Sequence, residues 1–226
     1  MCGRYTLSNP GDLIAELGAA GNPDLIIPRY NIAPTQDVPA VCVDTQGQRK
    51  LAPFRWGLIP FWANDKSVGH RMINARAETV AEKPAYRNAF GSRRCLLLAD
   101  GFYEWKRERS AEGKPVRQPF HIHLTGRAPF TMAGLWEFWN QDPANPTYSC
   151  TILTTQANET VTELHERMPV ILQGSARDTW LDTDSSVDEL LELLVPLPSE
   201  DVELHPVSRI VNRPQNDVAA CMEPVA

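Results

Sequence analysis

The sequence lacks the features that would place the chain in a membrane or in an oxidising compartment. No apolar run approaches the roughly 18 residues that a membrane-spanning helix needs, and the first residues contain no apolar segment typical of a signal peptide. The five cysteines are odd in number, and no two of them form a CxxC pair. We therefore expect a cytoplasmic protein with reduced thiols, no disulfide framework, no zinc or other metal site and no cofactor.

Repeats, low-complexity tracts and linkers are also absent, and 226 residues suit one large domain, so we expect a single domain over residues 1–226. Strand-like stretches outnumber helical ones and do not alternate with them regularly. The best of these stretches are residues 95–99, 120–124, 130–139 and 148–154. This pattern predicts an α+β fold built around a mostly antiparallel, barrel-like β-sheet with peripheral helices.

Local signals predict where some helices and loops lie. Asn9 followed by Pro10 is typical of a helix N-cap with proline in the first turn. Ser186 and Glu189 have the spacing of a capping box in front of a leucine-rich segment. Residues 25–39 are rich in Pro and Asn, which predicts a loop.

Charge is distributed unevenly along a chain whose net charge is −6. Residues 66–107 contain nine Lys or Arg against four acidic residues, whereas residues 181–203 contain eight acidic residues and no basic ones. An acidic protein can still present a basic face to a nucleic acid. A basic run of this kind is more often a solvated surface, so the charge pattern alone favours that interpretation over a nucleic-acid face.

The start of the chain, Met1-Cys2-Gly3-Arg4-Tyr5, carries the most specific chemistry. If Met1 is removed, Cys2 has an α-amine with a pKa of roughly 7.7–8.0 and a thiol with a pKa of roughly 8.5 on adjacent carbons. The amine can form an imine with an aldehyde, and the thiol can then close a thiazolidine ring, which neither a lysine nor an internal cysteine can form. A cysteine is also commonly a small buried hydrophobe, so Cys2 alone does not establish this chemistry.

Polar residues in otherwise apolar segments supply further candidates. Asn74 can bind a substrate oxygen and Arg76 a phosphate, although both are also ordinary surface residues. Glu104, between aromatic residues, either faces solvent on a strand or lies in an apolar pocket as a general acid or base. His165 is a natural proton carrier if a nucleophile is near, and Trp62, in a Pro-Phe-Trp corner, is placed to stack an unpaired base.

These stretches together resemble the SRAP (SOS response-associated peptidase) family of abasic-site processing proteins. The matching segments follow one another in family order and span nearly the whole chain. They are MCGRY (1–5), RYNIAP (29–34), WGLIP (56–60), INARAET (73–79), ADGFYEWK (99–106), HERMP (165–169) and HPVS (205–208).

The resemblance implies a positively charged channel for single-stranded DNA. It also implies a reaction in which Cys2, exposed by removal of Met1, forms a thiazolidine with the ring-opened sugar of an abasic site. Asn74 would position Cys2, Glu104 would be the general acid or base, and His165 would assist sugar ring opening. The protein would act as a monomer and would not bind a membrane. The DNA contacts would come from Arg4, Asn31, Pro34, Trp62, Arg76, Arg167, Met168 and Pro169.

Three other functions remain open at this point. Glutamine amidotransferases also begin Met-Cys-Gly and use an N-terminal cysteine nucleophile, although their downstream segments are not found here. A lesion reader that binds single-stranded DNA without covalent chemistry would have the same basic residues. A peptidase that acts on other proteins would need the Cys, His and Glu or Asn side chains that the sequence supplies.

Overall fold

The computed structural model describes residues 2–109 and 113–225. The predicted removal of Met1 concerns a residue that lies outside these ranges. None of the helices in the described part of the chain is long and apolar enough to cross a bilayer.

Thirteen strands and five short α-helices form the described part of the structure. The strands are β1 (Tyr5–Leu7), β2 (Arg29–Ile32), β3 (Asp37–Val43), β4 (Arg49–Trp56), β5 (Asn74–Arg76), β6 (Arg94–Ala99), β7 (Gly101–Arg109), β8 (Pro115–Leu124), β9 (Phe130–Trp139), β10 (Thr147–Gln156), β11 (Arg167–Pro169), β12 (Ile171–Leu172) and β13 (Val202–Pro206). The helices are α1 (Leu13–Glu16), α2 (Arg87–Ser92), α3 (Glu159–Thr162), α4 (Ser175–Leu181) and α5 (Val187–Glu192).

The strands form a five-stranded sheet in the order β13-β8-β7-β1-β2 and an eight-stranded sheet that runs from β11 through β10, β4, β3, β6 and β9 to β12, with β5 alongside β10. Most pairs are antiparallel, and β10 forms the parallel pairs, with β4 and β5. A core of fully buried apolar side chains, including Trp56 and Phe102, lies between the strands. The predicted α+β fold with a mostly antiparallel, barrel-like sheet is confirmed.

Two local predictions were right. Strand β9 has the predicted bounds, 130–139, because its apolar side chains are buried on both faces of a central strand. The Ser186 hydroxyl accepts a hydrogen bond from the Glu189 backbone N–H, and the Glu189 carboxylate accepts one from the Ser186 N–H. The capping box in front of α5 is therefore formed.

Two other local predictions were wrong. Helix α1 begins at Leu13 after Asp12, and Asn9 does not cap it. The Asn9 backbone N–H instead donates to Asp100 at 2.8 Å, which holds this segment against the end of β6. Residues 25–39 are not a continuous loop, since they contain β2 and the start of β3. Pairing of β2 with β1 overrides the local composition of this segment.

The sheet topology brings distant segments together near the start of the chain. Strand β1 pairs with β7, and Tyr5 lies opposite Phe102. Glu104 lies two residues further along β7. Strand β10 lies between β5 and β11, with Ile152 opposite Asn74 and Gln156 opposite Arg167. Strand β7 therefore lies beside the first strand of the chain, and β10 brings together β5 and β11, which are distant in sequence.

Candidate functional site

Cys2 lies in the interior directly before β1, with no exposed surface. Its thiol donates to the backbone oxygen of Arg4 over 3.8 Å. Its own carbonyl oxygen accepts a hydrogen bond of 2.8 Å from the Asn74 side-chain amide. The Asn74 Oδ1 atom is buried and has no hydrogen-bond partner among the described residues. Asn74 therefore fixes the backbone of Cys2 with one end of its amide and keeps an acceptor available at the other.

Glu104 lies in the interior beside Cys2, with 5% of its surface exposed. The alternative in which it faces solvent is thus excluded, because β7 is buried on both faces from Gly101 to Glu104. Burial raises the pKa of the Cys2 thiol well above its usual range, and the negative charge of Glu104 raises it further. The Cys2 thiol is consequently protonated at neutral pH in this state, and the charge of Glu104 acts on it.

Glu104 and His165 line the same cleft, whose volume is about 680 Å³. Basic side chains from the paired strands β7 and β8, Lys106, Arg107 and Arg117, also line it. The His165 Nδ1 atom accepts a hydrogen bond of 3.0 Å from the Arg167 backbone N–H. In the neutral ring Nε2 then carries the proton, so this nitrogen is the one that can donate to a ligand in the cleft.

Arg76 and Trp62 are exposed. Arg76, at the end of β5, lines a neighbouring cleft of about 330 Å³ together with Arg167, and its guanidinium makes no hydrogen bond among the described residues. Trp62 is 51% exposed in the turn after β4, beside the exposed Phe61, and it lines neither of these two clefts. Both side chains are accessible to a ligand.

Arg4 and Asn31 are engaged in internal contacts. Arg4 donates to the Asn31 Oδ1 and the Val211 carbonyl, each at 2.8 Å, and its burial lowers its pKa. Asn31 is fully buried, and its amide donates to three backbone carbonyls of the C-terminal segment. These two residues tie the N-terminal strands to the C-terminal segment. Pro34, at the end of the same motif, is partly buried.

Arg167, Met168 and Pro169 form β11 and are buried. The Arg167 guanidinium binds both carboxylate oxygens of Glu78, at 2.5 and 2.9 Å, and also donates to the backbone oxygen of Thr154. This pairing lowers the pKa of Glu78. Arg167 therefore holds the wall of the cleft in place through its two terminal nitrogens, whereas its buried Nε has no hydrogen-bond partner among the described residues.

The two arginines of this region are expected to respond differently to substitution. Arg167→Ala should lower the free energy of unfolding by about 1–3 kcal/mol, because it removes charged hydrogen bonds and leaves the Thr154 carbonyl unpaired. Arg76→Ala should leave stability within about 0.5 kcal/mol, since the side chain is exposed and unbonded. Urea unfolding of both variants measures this difference. An equal loss of unfolding free energy in the two variants would contradict the structural role of Arg167.

Sequence reasoning missed one residue that lines the cleft and one that supports the segment containing Asn31. Arg117 lines the cleft directly opposite Arg107, a position that follows from the β7–β8 register. Asp217 accepts hydrogen bonds from the backbone N–H groups of Tyr30 and Asn31. The alternating pattern of β8 contained a signal for Arg117. Asp217 had none, because it lies in a polar segment without periodicity.

The fold and the site define an α+β protein in which a buried cysteine near the start of the chain lies beside a carboxylate and close to a basic cleft. Residues 1–214 match the family described as SOS response-associated peptidase (SRAP), and the chain belongs to this family. The resemblance expected from the seven sequence motifs is thereby confirmed.

Similar proteins cover almost the whole chain. The abasic site processing protein YoaM of Bacillus subtilis is 43% identical over 230 residues, which cover 99% of this chain and 98% of that protein. The abasic site processing protein HMCES of Xenopus tropicalis is 33% identical over 89% of this chain and 68% of that protein. A crystal structure of a Bacteroides thetaiotaomicron protein superimposes with a TM-score of 0.86 at 23% identity and covers both chains completely, which supports the fold.

Proposed function

We propose that this chain is an abasic-site processing protein that binds single-stranded DNA and joins Cys2 covalently to the sugar of an abasic site. It would act on DNA in the cytoplasm, as a single-domain monomer. The observation that carries the proposal is the arrangement around Cys2, whose backbone is held by Asn74 and whose thiol pKa is raised by the charge of Glu104. Glu104 in turn lines a cleft together with His165. The names of the relatives, abasic site processing proteins, support the abasic-site part of this proposal.

The chemistry begins with the closed form of the abasic sugar. A proton donor and an acceptor are needed to open this hemiacetal to an aldehyde, and His165 Nε2–H lies in the cleft for that step. The Cys2 α-amine then attacks the aldehyde carbon, and water leaves as an imine forms. The Cys2 sulfur finally adds to the imine carbon, and its proton passes to the nitrogen, which closes the thiazolidine. Glu104 is the nearby group that can carry protons in the last two steps.

Removal of Met1 is a prerequisite of this reaction, because the α-amine of Cys2 is otherwise part of a peptide bond. The carboxylate of Glu104 beside Cys2 supports a proposal that the chain itself removes Met1, with Glu104 as the general base. The SRAP family description as a peptidase agrees with such a step. No cleavage of other proteins is needed for it.

The DNA strand is expected to follow the two clefts. Lys106, Arg107 and Arg117 line the first, and Arg76 lines the second. We propose that these side chains bind phosphates and that Trp62 stacks a base outside the clefts. The buried Arg167, Met168 and Pro169 would contribute by holding the wall of the second cleft, without direct contact to the strand. Arg4 and Asn31 would contribute by tying the N-terminal strands to the C-terminal segment.

Binding of an intact single-stranded oligonucleotide should weaken with salt, with a log–log slope of about −0.7 per phosphate contacted. Arg76→Ala should reduce the magnitude of that slope by about 0.7, because one contact is lost. Lys50→Ala removes the same charge from β4, away from both clefts, and serves as the control. Fluorescence anisotropy over a salt series measures both. A flat salt response of the unchanged protein would contradict the phosphate contacts.

Intact mass spectrometry tests the covalent proposal directly. The purified protein is measured alone and after incubation with a single-stranded oligonucleotide that carries one abasic site. We expect loss of Met1 and an adduct with the mass of protein plus oligonucleotide less one water, stable to heat and denaturant without borohydride. A protein that lacks Met1 but forms only salt-reversible complexes would be a non-covalent reader. Glutamine hydrolysis without an adduct would favour the amidohydrolase.

A further inference from the structure

Three histidines form a cluster that the proposed reaction does not use. His121 and His123 are two residues apart on β8, and His205 lies directly opposite His121 on β13. All three side chains therefore project from the same face of this pair of strands. One ring nitrogen from each lies within 4.8 Å of one from each of the others. His121 and His123 are 2% and 3% exposed, and His205 is half-buried.

The spacing of the rings is that of a metal site. The three ring centres are 5.6, 5.5 and 5.4 Å apart, a nearly equilateral triangle. A zinc ion bound to three imidazole nitrogens at about 2.0–2.1 Å with tetrahedral angles would hold the ring centres about 5 Å apart. The observed spacing of the ring centres is only slightly wider than this value.

Hydrogen bonds to backbone carbonyls fix which ring nitrogen of His123 and of His205 carries the proton. His123 Nδ1 donates to the Leu124 carbonyl at 2.9 Å, and His205 Nε2 donates to the Met222 carbonyl at 2.8 Å, because a carbonyl oxygen can only accept. The remaining nitrogens, His123 Nε2 and His205 Nδ1, then carry lone pairs in the neutral rings. A ring N–H bonded to a carbonyl is the usual support of a metal-binding histidine.

His121 is oriented by a longer chain of hydrogen bonds. The Thr6 hydroxyl donates its one proton to the Asp100 carboxylate at 2.5 Å, so it accepts from His121 Nε2–H at 3.2 Å. The lone pair of His121 is therefore on Nδ1, a buried atom without a hydrogen-bond partner among the described residues. A Cβ at position 101 would lie 2.1 Å from His121 Nε2, so Gly101 is needed to make room for this ring.

The surroundings of His121 and His205 favour the neutral form of both rings. Burial and the neighbouring histidines lower the pKa of His121 to about 3, and burial lowers that of His205, so both rings are neutral at pH 7. A neutral imidazole is the form that binds a metal. The charged groups that act on the cluster are Arg127 and Glu203, whose charges have opposite signs.

We propose that His121, His123 and His205 bind one divalent transition-metal ion, with zinc as the best match to three imidazoles and a fourth position for water. The ion would join β8 to β13 directly, and β1 through Thr6, so its main effect would be on stability. The sequence expectation of no metal site was based on cysteine spacing. It did not consider histidines that only the β8–β13 register brings together.

Cobalt(II) titration of the metal-free protein tests this proposal without any DNA. We expect one equivalent to bind and to give the visible absorption of a tetrahedral site, zinc to displace it, and zinc to raise Tm. His205→Gln, at the half-buried position, should weaken binding at least about tenfold and abolish the Tm shift. His123→Gln gives a second test, and His70→Gln, an exposed histidine outside the cluster, should behave as the unchanged protein.

Three results of these measurements would overturn the proposed metal site. Absence of the visible absorption at excess cobalt would overturn the proposal, as would equal affinities of the unchanged protein and folded His205→Gln. A near-ultraviolet thiolate charge-transfer band would place the metal on a cysteine and would also overturn it. Because the readouts are absorption and Tm, they do not depend on whether the protein cross-links DNA.

Discussion

Substitution of Cys2 by alanine is expected to abolish the covalent DNA adduct, with no product above the background of unspecific imine formation. The thiazolidine needs both an α-amine and a thiol on the same residue, and alanine leaves only the amine. An imine from the remaining amine would be reversible and would disappear on heating in denaturant. Intact mass after incubation with the abasic oligonucleotide, with and without borohydride, separates the two products.

The structure offers a matched control for this experiment. Cys42 is also buried, at 8% exposure, and burial raises its pKa to about 11, but it lies in β3 and away from both clefts. Cys42→Ala should form the adduct at the rate of the unchanged protein. A heat-stable adduct in Cys2→Ala, or loss of the adduct in Cys42→Ala with an intact fold, would contradict the assignment of Cys2.

The sequence predicted the chemical groups of the site better than their surroundings. The motif that contains Glu104 was evident, but whether a strand residue faces solvent depends on which strands cover it. Strand β7 is buried on both faces from Gly101 to Glu104, and the charge of Glu104 acts on Cys2 from a distant part of the sequence. Local alternation could not show it, because the covering strands are distant in sequence.

The arginines illustrate the same limit. Arg4, Arg76 and Arg167 look alike in sequence, and each matched a position expected to contact DNA. In the structure Arg76 is exposed, whereas Arg167 is paired with Glu78 and Arg4 with the Asn31 amide and backbone carbonyls of the C-terminal segment. These partners come from other parts of the chain, so composition and motif spacing could not distinguish a free cation from a structural one.

Glu104→Gln is expected to slow adduct formation by about 10²–10⁴-fold, the usual contribution of a positioned general acid or base. The amide has nearly the same shape as the carboxyl group, so packing against Cys2 should persist. Loss of the negative charge also removes the second cause, after burial, of the raised pKa of the Cys2 thiol. The thiol of the variant should therefore ionise at lower pH than that of the unchanged protein.

Loss of proton transfer by Glu104 would slow adduct formation, whereas a lower pKa of the Cys2 thiol would speed it up. The rate of the variant therefore shows which of the two effects dominates. If Glu104 affected the reaction only through the thiol pKa, Glu104→Gln would react faster at neutral pH. A slower reaction despite the lower thiol pKa would identify proton transfer as the role of Glu104. Glu163→Gln, an exposed carboxylate in the same cleft, controls for the loss of charge and should react normally.

The state of the N-terminus must be measured before the rates are compared. If Glu104 is also the base that removes Met1, the variant retains Met1 and has no free α-amine, so a missing adduct would say nothing about the later steps. Intact mass before incubation distinguishes the two cases, and Met1 can be removed from the variant with an aminopeptidase. A processed Glu104→Gln that forms the adduct at the normal rate would exclude Glu104 from the cross-linking steps. Retention of Met1 in the same variant would then assign Glu104 to maturation alone.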